Sequence, residues 1–154
     1  TPTPPLISFG SERYVSPSLT GTVAFDYSNN NGRYVIGAGD MAFETAWSRG
    51  GNSSIHAYTK SLSIRSVALA LGAENIADII DASAYDTSSR VRSPQLGEIV
   101  VWQNTAGYYL ATKIENIQSR GHGSSKDEIT FSYAIAPNKS ATFALRNKGR
   151  TKYL

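Results

Sequence analysis

Seven side chains in three stretches carry most of the chemical potential of this chain. Asp26, Arg33, Glu44, His56 and Tyr58 fall within TVAFDYSNNNGRYVIGAGDMAFETAWS and the SSIHAYTKS that follows, and Arg90 and Arg92 stand two residues apart in SSRVRS. A carboxylate beside a histidine can exchange protons near neutral pH, or hold a hydroxyl-rich or cationic ligand. Two guanidiniums at that spacing on a strand point the same way and can grip a phosphate or carboxylate bidentately. Each reading has a structural alternative. Asp26, Glu44 and His56 would equally suit a solvated sheet face with cross-strand charge pairs, and the arginines would equally pair with Asp81 or Asp86.

No reaction follows from these residues. Serines are abundant but none sits in a G-x-S-x-G elbow, and the glycines at 37, 39, 50 and 51 form no phosphate-binding fingerprint. His56 and His122 are the only histidines and stand in no ligand motif. A mixed site at Asp26, Glu44 and His56 is the one metal arrangement the residue types allow. No metal or other cofactor is expected.

The elements that must position these groups are strands. Val23, Phe25 and Tyr27 alternate with Ala24 and Asp26, and Met41, Phe43, Thr45 and Trp47 alternate with Ala42, Glu44 and Ala46. Asn29 to Gly32 supply a tight turn, Arg33 to Gly37 a further strand, and Ser54 to Thr59 another. The alternation predicts a four-stranded meander over residues 22–59, with Asp26, Glu44 and His56 converging on its polar face about 5 Å apart. Trp47 shares the Phe43 face and reads as core.

Further along, SIRSVALALG reads as a strand entering the core, and AENIADIID spaces Ile76, Ile79 and Ile80 for a short helix. Residues 82–96 read as an irregular excursion. EIVVWQN, YYLATKIENI and residues 128–135 are further strands, with a last one expected near Thr142 to Leu145. Trp102 alternates with Ile99 and Val101, so one face of its strand is expected to be less than fully apolar. Tyr108 and Tyr109 point oppositely, so one of them is expected at the surface. The pattern predicts an all-β fold, an antiparallel sandwich or partly open barrel with one short helix.

Composition bounds the rest. The 154 residues suit one domain able to bury a proper core, and the absence of cysteine excludes a disulfide framework and thiolate chemistry. A cytoplasmic location fits that absence. No run of about 18 apolar residues is present, so no membrane partner is expected. The net charge of +3 is uneven: residues 139–154 hold five bases and no acid, and the remainder ten bases against twelve acids. We therefore divide the chain into a stiff proline-rich linker at residues 1–8, one β-rich domain at 9–145 and a basic tail at 146–154. The opening TPTPPLIS and the lone methionine at 41 imply further sequence upstream.

The words FDYSNNNGRYVIGAGDMAFETAWS, SIHAY and SSRVRSPQLGEIVVWQN resemble a β-rich accessory domain that follows Toll/interleukin-1 receptor (TIR) type domains in bacterial proteins. The resemblance spans most of residues 21–136. It implies a sensing or recruiting role in defence or signalling, beside a catalytic domain elsewhere. The α/β pattern of a TIR domain is absent, and no NAD-cleaving residue carries over.

The sequence thus points to a non-catalytic accessory domain that binds a small molecule or a protein partner, at a site drawn from Asp26, Arg33, Glu44, His56, Tyr58, Arg90 and Arg92. Two alternatives stand beside it. One is a hydrolase using a carboxylate–histidine pair. The other is contact with nucleic acid or an anionic surface through the basic tail, which the near-neutral body disfavours. The oligomeric state stays open.

Overall fold

A computed structural model of the chain describes residues 14–50, 53–60 and 62–144. The linker and basic tail expected at the two ends lie outside these residues, as does Leu145. Ten strands are described: β1 (Val15–Ser16), β2 (Thr20–Phe25), β3 (Arg33–Ile36), β4 (Phe43–Arg49), β5 (Ile55–Tyr58), β6 (Ile64–Leu69), β7 (Val91–Arg92), β8 (Ile99–Asn104), β9 (Tyr109–Gln118) and β10 (Glu128–Ala136). They form two five-stranded sheets, in the orders β1-β3-β4-β5-β7 and β2-β10-β9-β8-β6. The fold is an all-β sandwich. Pairing is antiparallel throughout except between β1 and β3, which run parallel.

Alternation explains the core. Tyr34, Ile36, Phe43, Trp47, Ile55 and Ala57 point from the first sheet towards Val23, Phe25, Trp102, Phe131 and Tyr133 of the second. Trp47 stacks on Phe131 with centroids 5.1 Å apart and meets Trp102 edge-on at 5.2 Å. Such aromatic pairs add about 0.5–1.5 kcal/mol beyond area burial. Each buried indole also satisfies its N–H. Trp47 Nε1 donates to Thr45 Oγ1 at 2.8 Å, and Trp102 Nε1 to Thr112 Oγ1 at 3.0 Å. Both threonine hydroxyls pass the bond on, to the carbonyls of Tyr34 and Val100.

Three expectations are corrected. The four-stranded meander does not form, because β2 pairs with β10 in the second sheet. The Asn29–Gly32 turn forms as expected, but it joins no hairpin because β2 and β3 lie in different sheets. Asn30, Asn31 and Gly32 all take left-handed backbone, and this 3-10 turn carries the chain from one sheet to the other. The short helix expected at 73–81 is only a 3-10 turn at Ile76–Asp78, and no α-helix occurs among the described residues. Residues 142–144 form no strand; Phe143 N–H donates to the Ile79 carbonyl at 2.8 Å.

The faces of β8 give the fourth correction. Val100 and Trp102 face the first sheet, while Ile99 and Val101 join Ala70, Ile79, Ala82 and Phe143 in a second apolar cluster. Both faces of the strand are therefore buried. The irregular segment at 70–82 and the chain at 141–143 cover the outside of the second sheet. Tyr108 and Tyr109 are both half-buried, one against each cluster. Among the described residues, no helix is long and apolar enough to cross a membrane.

Candidate functional site

The outer face of the first sheet is built by the register of four strands. Arg33 pairs with Ala46, Ala46 with Tyr58, and Tyr58 with Val91, so these residues form one row across β3, β4, β5 and β7. The next row brings Ser48 opposite His56. The small Ala46 between two long side chains leaves a depression. A cleft of about 460 Å³ opens there, floored by the Ala46–Ser48 stretch of β4. Tyr58 and Thr59 form one wall, Asn31 stands at the other, and Lys60 and Arg90 lie at the rim.

Local chemistry explains each wall. Gly32, at φ +71°, lies so close to β4 that an added Cβ would sit 1.9 Å from the Trp47 carbonyl oxygen. That close approach holds the Asn31 turn over β4. The Tyr58 hydroxyl is tied to Ser48 Oγ, which aligns the ring along the cleft. The Arg90 carbonyl accepts the Thr59 N–H at 2.9 Å, fixing the arginine backbone beside β5. Among the described residues, neither Lys60 nor Arg90 enters an ion pair.

The residues singled out from sequence separate into distinct roles. Tyr58 and Arg90 line the cleft. Arg33 and Glu44 share its sheet face but pair with each other, Nη1 to Oε2 at 3.5 Å. Half-exposed pairs of this kind contribute about 0–1 kcal/mol. His56 lies beyond Tyr58 on the same strand, with Nδ1 hydrogen-bonded to Ser93 Oγ at 2.6 Å.

Asp26 is elsewhere. It follows β2 in the second sheet, and its carboxylate is taken up locally by the Ser28 N–H, the Ser28 hydroxyl and the Asn29 amide. It therefore does not converge with Glu44 and His56. Glu44 lies four residues along β4 from Ser48, the partner of His56, which is roughly 13 Å at the strand rise. No carboxylate among the described residues bonds to His56. The carboxylate–histidine pair required by the hydrolase reading is not assembled, and no group of three His, Cys, Asp or Glu side chains there is placed to hold a metal.

Arg90 and Arg92 diverge. Arg92 pairs across the sheet with the buried Ala57, so its side chain takes the core-facing side of the edge strand. Its Nη2 donates to the Asp86 carbonyl at 2.7 Å and lies 3.6 Å from the Asp86 carboxylate. The Ser88 hydroxyl and N–H hold the Asp86 carboxyl below the usual carboxylate range, with Arg92 adding to the effect. Arg92 is thus a brace for the 86–92 segment, and only Arg90 is free to meet an anion.

Sequence reasoning missed Asn31, Ser48 and Lys60. Asn31 was visible as a turn residue, but its position over β4 depends on strand pairing. Lys60 carries no local signature.

Fold and site together define a β-sandwich domain with a basic-rimmed surface cleft. No family model matches the chain, and no curated protein or solved structure matches it.

Proposed function

We propose that this chain is a non-catalytic ligand-binding accessory module, and that the cleft on β4 and β5 receives a small anion with an apolar body. The observation that carries this reading is the pairing of an Ala46–Tyr58 apolar floor and wall with two cations, Lys60 and Arg90, that have no ion partner among the described residues. An apolar pocket with a few convergent polar groups is the usual form of a small-molecule site. Arg90 supplies a planar fork for a carboxylate, sulfonate or phosphate, and Lys60 a point charge beside it. Burial of the ligand body against Tyr58 provides affinity, and the cations set its orientation.

As an accessory module the domain reports the ligand to a catalytic partner, the role implied by its resemblance to domains that accompany bacterial TIR proteins. A cytoplasmic signalling or defence assembly is the setting this reading assigns.

The test uses 8-anilinonaphthalene-1-sulfonate, an aromatic body with one fixed negative charge. Arg90→Ala and Lys60→Ala are each expected to weaken its binding about fivefold, with unchanged melting temperature. Lys126→Ala removes a cation outside the cleft, ion-paired with Glu128, and is expected to change nothing. Equal affinity of the native protein and Arg90→Ala rejects the site.

A further inference from the structure

The cleft is the first of three hollows strung around one edge of the sandwich. Its Thr59, Lys60 and Arg90 also border a second hollow of about 230 Å³. That hollow shares Arg65, Ser66 and Thr87 with a third, of about 280 Å³. The third lies on the outer face of the second sheet, over Ala68 and Val101, with Tyr109 beside it. The path therefore starts on one outer face and crosses the edge where β7 lies beside β6. It finishes on the opposite face.

Three features single this path out. Lys60, Arg65 and Arg90 follow one another along it, none of them ion-paired among the described residues, and no acidic side chain lines any of the three hollows. The nearby carboxylates are engaged elsewhere: Asp86 with Ser88 and Arg92, Asp81 with the Ser83 N–H and hydroxyl.

The second feature is a β-bulge. Ile64 pairs with Asn104 and Ser66 with Gln103, which leaves Arg65 as an extra residue on β6. In a regular strand Arg65 and Ser66 would point to opposite faces. The bulge lets both line the same two hollows. Bulges re-aim side chains at sheet edges and beside sites, and here the side chain re-aimed is a cation.

The third feature is that the path is finite. The Asn31 turn closes it at one end and Ala82–Ser83 at the other. A tyrosine stands at each end, Tyr58 and Tyr109, and hydroxyls of Thr59, Ser66 and Thr87 lie between them. A single carboxylate would use one cation and leave two idle.

We infer that this groove takes an extended, phosphate-bearing ligand of dinucleotide size, its phosphates held by Arg90, Lys60 and Arg65 and a planar ring resting by each tyrosine. The inference rests on the cleft being a ligand site and extends that site across the sandwich edge. Serine and threonine hydroxyls donate to phosphate oxygens between the cations. Three cations distributed over the connected hollows suit two linked phosphates better than one.

The probes are adenosine monophosphate and the 5′-phosphorylated diadenylate pApA, titrated at about 0.1 M salt because phosphate contacts are salt-dependent. The diadenylate is expected to bind about tenfold tighter than the monophosphate. Arg65→Ala, and Arg65→Gln as the milder variant, should weaken the diadenylate more than the monophosphate, removing that advantage, and leave the melting temperature unchanged. Arg90→Ala should weaken both ligands. Equal affinity for the two nucleotides, or an advantage indifferent to both Arg65 variants, overturns the groove; the sulfonate titration then decides separately whether the cleft stands. Affinity that keeps rising with tetra- and octanucleotides overturns the dinucleotide size and marks a single-strand binder instead.

Discussion

Trp47 of the first sheet lies face to face with Phe131 of the second, ring planes 22° apart and centroids separated by 5.1 Å. The two residues are 84 positions apart in the chain, and their contact joins the sheet that carries the cleft to the sheet that carries the bulge. Trp47 is also the residue whose carbonyl meets the Asn31–Gly32 turn. One side chain thus anchors the core while its backbone positions a wall of the site.

Thr45 completes the bonding of that indole. Thr45→Val keeps the shape but leaves the buried Trp47 N–H without its acceptor and removes the hydroxyl bond to the Tyr34 carbonyl. A loss of about 1–3 kcal/mol in urea unfolding is expected. Thr45→Ser, which keeps the hydroxyl, should recover most of it. A Thr45→Val protein as stable as the native chain would show that the indole finds another acceptor.

Gly32 and Gly72 separate steric from conformational demands. Both have positive φ, but a Cβ at Gly32 would strike the Trp47 carbonyl, whereas at Gly72 it meets nothing within 4 Å. Gly72→Ala is expected to cost about 1 kcal/mol, the left-handed penalty alone. Gly32→Ala should cost clearly more, about 3 kcal/mol or beyond, and weaken sulfonate binding by displacing Asn31. Equal costs at the two positions would refute the close approach.

Alkaline unfolding should follow the buried tyrosines. Burial pushes the phenols of Tyr27, Tyr34 and Tyr109 above their ordinary value, and Tyr133 raises Tyr34 further. Above about pH 10 the unfolded chain ionises these groups while the folded chain still holds their protons. Stability is therefore intact below about pH 10 and falls as pH rises through the folded values. Absorbance at about 295 nm should show a delayed tyrosinate fraction that appears with unfolding. Tyr34→Phe should flatten the alkaline limb of a stability profile, and an unchanged limb would locate the dependence elsewhere.

Asp26 and Arg90 should show crossed effects. Asp26→Ala removes the acceptor for the Ser28 N–H and the Asn29 amide and should lower stability by about 1 kcal/mol without changing sulfonate affinity. Arg90→Ala should lower affinity without changing stability. Calorimetry and binding on the same two proteins read both quantities. A loss of affinity in Asp26→Ala without a loss of stability would restore the carboxylate to the site.

Much of the fold was legible because strand periodicity is local. Phe25, Tyr27, Phe43 and Trp47 declared their burial through the two-residue alternation, and the structure buries all four. The helix expected at 73–81 failed: Ile79 is buried in the second cluster and Ile76 packs against it, but Ile80, which a helix would place on the same face, is left exposed. The apolar residues on both faces of β8 were visible, but the two segments that cover its outer face, 70–82 and 141–143, are distant from it in the chain.

The candidate site was legible only in part. Tyr58 and Arg90 were named from their types and do line the cleft. Arg92, two residues from Arg90, turned inward because its cross-strand partner is Ala57. The sequence by itself determined which residues are apolar, which alternate and where the chain must turn, since each depends on neighbours within a few positions. Tertiary structure alone decided that β2 leaves the first sheet, that a bulge re-aims Arg65, and that Lys60, Arg65 and Arg90 share one edge. Backbone pairing is blind to side-chain identity, so partner and register are chosen by the packing of the whole sandwich.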